Sequence, residues 1–423
     1  MRRIVRSDAS AARVSYLYAC ALATVLFLFL PFGGYTRMME GKYFCFLALS
    51  LAYLAAMGRA APLAPPRMTP ARRCAAAYLA CSALSAAFSP FGARTLLGGT
   101  RREGLVTLAL YVAAFFLLTR RLRADRRLLY LAAGAVTLCD ALALSQLAGR
   151  NPLGLYPQGL NYYDGDAAYA GFYAGTSGNV DFTAFLLALS VCLFVFAAAR
   201  LRLWALLPAA ALTLWVLWRL DVAAAWAGLA FAAVWGVALL FPRRRGTALL
   251  VSAALSAAAL AVLWRWPGGE GTAAELSRLL HGDADPGFGS GRLAIWRDCL
   301  TLARRRPLLG GGPDTLWLRG LEPFSWYRGG TVTPVDITAA HNEYLNILVN
   351  QGAAALAAYL GLLGCALARC FRRAAEPRFA VCGAGLLCYA AMACFSVSTC
   401  ITAPCVWLLL ALAAQEPESE KQG

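Results

Sequence analysis

His341-Asn342-Glu343-Tyr344-Leu345-Asn346 is where this chain is best equipped for chemistry: an imidazole followed by carboxamides, closing a polar segment, 265–340, that interrupts apolar sequence. An unperturbed imidazole titrates near about pH 6.5, so it can take a proton from a hydroxyl at neutral pH without standing permanently charged. The segment also carries nine arginines and no lysine. Guanidinium groups are planar donors that grip phosphate oxygens in pairs. Together these groups suit an anionic, lipid-bound substrate beside a base. The bland alternative for His341 is a cap or an interfacial side chain at a helix start.

Arg101, Arg102, Arg292 and Arg297 are the arginines outside the apolar runs best placed to hold an anion. Arg292 leads, because it follows Gly289-Ser290-Gly291 and opens a predicted helix whose free N–H groups also attract anions. Arg304, Arg305 and Arg306 read instead as a solvated charge run. Arg219 and Asp221 lie at the end of an apolar run, where a simple interfacial pair is the default. Asp164, Asp166, Asp181, Asp314 and Asp336 are candidate carboxylate partners, with turn formation the safer assignment for each. His281 sits in a turn-like run and is assigned no role.

The elements that must position these groups are helical. Leu293, Ile295, Trp296, Leu300 and Leu302 recur at helical spacing, predicting a helix from about 291 to 305 that ends at Pro307 and the Gly310-Gly311-Gly312-Pro313 turn. After His341 the pattern is an amphipathic helix. Leu345, Leu348, Val349 and Gly352 share one face, and Asn342, Asn346 and Asn350 recur every fourth residue on another. Three amides in register can exchange hydrogen bonds with sugar hydroxyls, or they can bond neighbouring helices and interfacial water. The two readings stand level. Asn179 and Asp314, in loops on the same side, join the stripe as candidate glycan or acceptor contacts.

Those helices sit in a membrane protein. Apolar runs of about 15–20 residues, the length that crosses a hydrocarbon core as helix, recur throughout the chain. They lie near 16–32, 43–57, 74–90, 104–119, 128–147, 182–199, 203–218, 222–241, 248–264, 343–368, 379–397 and 403–414. This predicts an all-α polytopic protein of about twelve spans, forming one membrane domain over 1–423. Segments alternating with the period of a membrane β-barrel are absent. Two connections stand out by length, 149–181 and 265–340, the second with short helices of its own. Arginines fall on every second connection, so both termini and the acidic tail Glu416–Glu420 are expected in the cytoplasm and the large loop outside. The first run continues into Pro31-Phe32-Gly33-Gly34 without a cleavage pattern, so it reads as a span and not a signal peptide. The net charge of +17 is then mostly a topology signal, which excludes a nucleic-acid partner and leaves membrane lipids. The fourteen cysteines show no CxxC or Cys/His metal spacing, and Cys20, Cys45, Cys81, Cys139, Cys192, Cys388 and Cys394 are among those inside predicted spans as small apolar residues.

Several short motifs now occur in one order. Gly289-Ser290-Gly291-Arg292-Leu293-Ala294-Ile295-Trp296, Pro307-Leu308-Leu309-Gly310-Gly311-Gly312-Pro313-Asp314-Thr315, and His341-Asn342-Glu343-Tyr344-Leu345 with Gln351-Gly352 resemble the O-antigen ligase and O-antigen polymerase-like family. Arg102-Glu103-Gly104-Leu105 and Gly175 to Phe182 are similar to that family too, so the resemblance spans roughly 95–365. It implies a metal-independent, cofactor-free, GT-C-like glycosyltransferase of the bacterial cytoplasmic membrane. Such an enzyme takes a glycan from an undecaprenyl pyrophosphate carrier at the outer face and joins it to a hydroxyl on a sugar, lipid or protein acceptor. His341 takes the place of the family's proposed base or acceptor-orienting group, and Arg292 that of an arginine holding the carrier's pyrophosphate. Direct displacement would invert the anomeric centre.

Two departures accompany the match. A middle span that often reads Ser-Arg-Gly-x-Trp is Val222-Ala223-Ala224-Ala225-Trp226 here, and Arg219, one turn earlier, is the nearest stand-in for the missing arginine. The acidic residue often found before the histidine is replaced by Thr338-Ala339-Ala340. The rival readings are a transporter of polysaccharide or lipid-linked glycan and a noncatalytic assembly partner. A transporter would favour ionisable residues in mid-membrane and repeated halves. This chain keeps such residues at the ends of its spans, Asp140 excepted.

Overall fold

The protein, seen in a computed structural model, is described over residues 2–60, 67–156, 174–269, 271–321, 324–328 and 331–415. Asp164, Asp166 and the acidic tail lie outside the described residues. Helices dominate: α1 (Arg2–Ala21, continuing as a π turn over Leu22–Leu26), α2 (Met38–Ala60), α3 (Pro70–Ala87), α4 (Arg94–Leu97), α5 (Leu105–Arg121), α6 (Arg126–Leu147), α7 (Val180–Leu201), α8 (Leu207–Leu220), α9 (Ala223–Leu240), α10 (Arg245–Trp264), α11 (Thr272–Leu280), α12 (Phe288–Arg305), α13 (Glu343–Arg372), α14 (Pro377–Met392) and α15 (Ala403–Ala413). One antiparallel hairpin, β1 (Phe324–Arg328) with β2 (Thr331–Val335), departs from the helical expectation within the large loop.

Every expected apolar stretch lies largely or wholly on a helix. Among the described residues seven helical stretches are long and apolar enough to cross a bilayer, and Trp204–Leu220, Pro377–Met392 and Ala403–Ala413 are shorter apolar helices. The chain is therefore a multi-pass helical membrane protein. Its core is the packing of α13 on α3 and of α14 on α7 and α9. Buried aromatic contacts among Tyr78, Tyr111, Phe115 and Trp407 tie α3, α5 and α15 together. Helix α10 is the exception, with most of its length exposed and α9 as its main neighbour.

Helix α13 matters most for position. It breaks at Gly352, whose φ of 88° and ψ of 173° are not helical. The break opens room for Pro307–Gly312: Ala353 donates its N–H to the Pro307 carbonyl (2.8 Å), and Gly311 and Gly312 donate theirs to Val349 (3.2 Å) and Asn350 (2.7 Å). A Cβ at Gly352 would fall on the Leu308 carbonyl, and one at Gly310 on the backbone of Asn350. The two glycine motifs are thus the halves of one backbone contact. Carbonyls freed by a break in a membrane helix need other donors. Helix α3 supplies them from one face. Ser85 donates to the Asn350 carbonyl (3.1 Å), Ser82 to the Gln351 Oε1 (2.9 Å), and Ser89, just past the helix, to the Gly311 carbonyl (2.6 Å).

Candidate active site

Helix α12 begins three residues earlier than its pattern predicts and ends at Arg305, one turn before the glycine turn. Ile295, Cys299 and Ala303 are buried, while Leu300, expected inward, is 46% exposed. The inward stripe runs 295–299–303, a spacing the apolar residues alone disguised because Cys299 was not counted. This stripe packs α12 on the first turns of α13, against Leu345 and Val349. Trp296 then donates its indole N–H to the Ala340 carbonyl at 2.9 Å, fixing the residue before His341.

The start of α13 is pinned from several sides. Asn342 is its N-cap, accepting the Leu345 N–H at 3.0 Å. Glu343 donates its backbone N–H to the Ala393 carbonyl (2.7 Å), and its carboxylate accepts the Ser398 N–H (2.7 Å). Asn346 accepts the Ala340 N–H (3.3 Å) and a bond from Asn350 (3.3 Å). Asn350, 2% exposed, accepts from the Thr315 N–H (3.2 Å) and from Arg319 (3.1 Å). Of the two readings of the asparagine stripe, the structure brings out the one in which the amides bond the chain itself.

A second loop closes on this one. Asp314 accepts the backbone N–H of Gly99 (2.7 Å) and of Glu103 (3.2 Å), so its carboxylate organises the loop that carries Arg101 and Arg102. Burial pushes the Asp314 carboxyl up to about 6, with those N–H groups and Arg101 pulling it down. Arg101 donates to the Thr338 hydroxyl at 3.2 Å, bridging the loop to the approach of His341. From α7 comes Asp181, in the first turn behind the N-cap Asn179, whose Oδ1 accepts the Asp181 N–H at 2.8 Å.

Electrostatics show which charges converge. Burial first, and then the Arg101 and Arg292 charges, lower the His341 imidazole to about 3. Burial also pulls Arg101 below its ordinary value, against the opposing field of Asp314, Glu343, Glu103 and Asp181. Glu103 is raised well above the usual carboxylate range by burial, and it accepts the Tyr111 hydroxyl at 2.8 Å. Arg101 Nη1 and Arg292 Nε are buried and have no hydrogen-bond partner among the described residues, while Arg292 Nη1 donates to the Gly289 carbonyl at 2.9 Å. Buried donors without acceptors are costly, and two guanidinium charges that reach one buried imidazole are chemically able to receive an anion. Three of the five described non-glycine residues with positive φ, Arg102, Asp314 and His341, also lie here. Such strain gathers at functional sites.

A family model for O-antigen ligases matches residues 208–360. That stretch is similar to the O-antigen ligase family. No curated protein matches the chain. The O-antigen ligase stretch holds Arg292, His341 and the asparagines, and stops short of the loop with Arg101. That loop and Asp181 reach the site only through the fold.

The remaining candidates lie at the margin of the site or away from it. Arg102 pairs with Glu40 at 3.4 Å and lies over the Tyr43 ring, at the edge of the site. Arg219 is exposed near the end of α8, with no described contact to His341, Arg101 or Arg292. Glu103 was not singled out by sequence reasoning, although it stands beside Arg102 in a matching motif. Asp181 was named only as a candidate carboxylate partner, with turn formation the safer assignment, and its further signal was the helix-capping Asn179 two residues before it.

Proposed function

We propose that this protein is a glycan ligase or polymerase. It moves a glycan from an undecaprenyl-pyrophosphate-type carrier to an acceptor hydroxyl, at the extracytoplasmic face of a bacterial cytoplasmic membrane. In this reading all twelve apolar stretches cross the bilayer in a GT-C-like arrangement with both termini inside. The observation that carries it is that Arg101 and Arg292, each with a buried unpartnered N–H, both act by charge on the buried His341 imidazole.

The chemistry follows from those charges. The carrier's diphosphate sits between the two guanidiniums. The acceptor oxygen forms its bond to the anomeric carbon as the bond from that carbon to the phosphate oxygen breaks, inverting the centre. The diphosphate departs with the bonding electrons, and the arginines stabilise the charge it gains. Each such donor contributes roughly 3–4 kcal/mol at the transition state. The hydroxyl proton passes to His341. In the free protein its basicity is suppressed by burial and then by the same arginines, and a bound diphosphate offsets the arginines' field and restores part of it.

Two measurements test this reading. His341→Ala and Arg292→Ala should insert normally and lose glycan transfer, and undiminished product from both overturns the proposal. The pH dependence is the second. His341 must be unprotonated to act, and with its free value near 3 it stays so throughout pH 5–8. Hence kcat/KM should show no acid limb from this residue in that window, while kcat should show one. A limb in kcat/KM near the ordinary histidine value of about 6.5 would count against it.

A further inference from the structure

A large cavity lies away from His341. It holds about 760 Å³ between the end of α1 and helices α6, α7, α14 and α15. That is within the range of roughly 300–1,000 Å³ typical of ligand sites. Its walls are apolar, with Val136, Leu186, Leu189, Leu193, Leu408 and Leu409 among them. The lining on α7 runs from Leu186 to Leu201, which at helical rise is a slot about 22 Å long. Its mouth is charged, with Arg123, Arg126, Arg373 and Arg378 against Asp125 and Glu376.

Position separates it from the candidate active site. Helices α5, α7 and α13 begin beside Glu103, Asp181 and His341 and end at Arg121, Leu201 and Arg372, next to this mouth. One helix length, about 25–45 Å, lies between the two. The acids at the mouth are already engaged. Asp125 caps α6 through the Arg127 (3.0 Å) and Leu128 (3.3 Å) N–H groups and accepts the Tyr16 hydroxyl (2.8 Å). Glu376 accepts from Arg373 (2.7 Å) and Arg378 (3.3 Å). Four arginines against two carboxylates leave the mouth net positive, and Arg126 is exposed.

We propose that this cavity binds an anionic glycerophospholipid, its acyl chain along α7 and its phosphate on Arg126 and Arg378. A long apolar slot selects a hydrocarbon chain, and a net positive mouth at the bilayer surface selects a net negative headgroup over a zwitterionic one. With the arginine-rich end in the cytoplasm, the lipid comes from the inner leaflet, on the opposite side from the glycan carrier.

Electron spin resonance of the full-length protein in vesicles, with spin-labelled phosphatidylglycerol or phosphatidylcholine, tests this independently of transfer. Wild type should restrict phosphatidylglycerol with a roughly tenfold preference. Arg126→Gln with Arg378→Gln should remove the preference. Ala132→Phe, which fills the slot from α6, should reduce the restricted fraction while the thermal melt stays unchanged. Equal restriction of both lipids by wild type overturns the proposal, as does a preference that survives both variants. So does a preference seen only after removal of residues 416–423, which would make the acidic tail the mouth's own occupant.

Discussion

Arginines at the two ends of this helical bundle live in opposite circumstances. At the end away from His341, Arg200 donates to the carbonyls of Leu239 (2.5 Å), Leu240 (3.1 Å), Ala374 (2.8 Å) and Ala375 (3.2 Å). Arg245 there donates to the Phe371 carbonyl (2.8 Å), and Arg72 to the Arg67 carbonyl (2.7 Å) and the Thr119 hydroxyl (3.1 Å). Arg200 and Arg245 close helix ends, where the last carbonyls lack intrahelical donors, and Arg72 ties the approach of α3 to α5. Beside His341, Arg101 and Arg292 each make a bond but keep one buried N–H unanswered, and the charges of both reach the same imidazole. One residue type therefore serves as mortar at one end and, in the function proposed above, as a receptor at the other.

The contrast can be broken or sharpened by substitution. Arg101→Ala with Arg292→Ala should cut transfer by roughly 10²–10³ or more and weaken polyprenyl-pyrophosphate binding. Its thermal stability in detergent should barely move, and a large loss there would make this pair structural like the far-end arginines. Gly352→Ala strikes the backbone contact beneath the site, and its melt should fall by an amount equivalent to about 3 kcal/mol. Arg200→Ala should cost about 2 kcal/mol of stability, with transfer per folded molecule unchanged. Asn350→Ala, which strips partners from Thr315 and Arg319, should cost about 1–2 kcal/mol. Arg278→Ala breaks a half-exposed pair with Asp283 (2.7 Å) on α11 and should cost under about 0.5 kcal/mol, with no change in transfer.

How far each part could be read beforehand depended on the range of the interaction. The apolar runs and the amphipathic course of α13 are local patterns, and helices lie where the runs predict. Helix α12 was legible to within a turn at its start, but its buried stripe runs through Cys299, which counting only large apolar residues overlooks. The asparagines show the limit. Their spacing marks a polar face and is silent on what faces it, and Arg319, Thr315 and Ala340 occupy it from 6 to 35 residues away. Asp314 likewise looked available to a ligand until the backbone of Gly99 and Glu103 took its carboxylate. Arg219, suggested by distance along the chain, is out on the surface.

By itself the sequence determined a many-helix membrane chain, the two ends of its arginine asymmetry, and the short motifs that resemble O-antigen ligases. These are carried by composition and by periodicities of a few residues. Only the tertiary structure decided that Arg101 and Asp181 join Arg292 at His341, and that the imidazole there is held neutral. Burial and the field of neighbouring charges set an ionisable group's behaviour, and both depend on which distant segments the fold brings within a few ångströms.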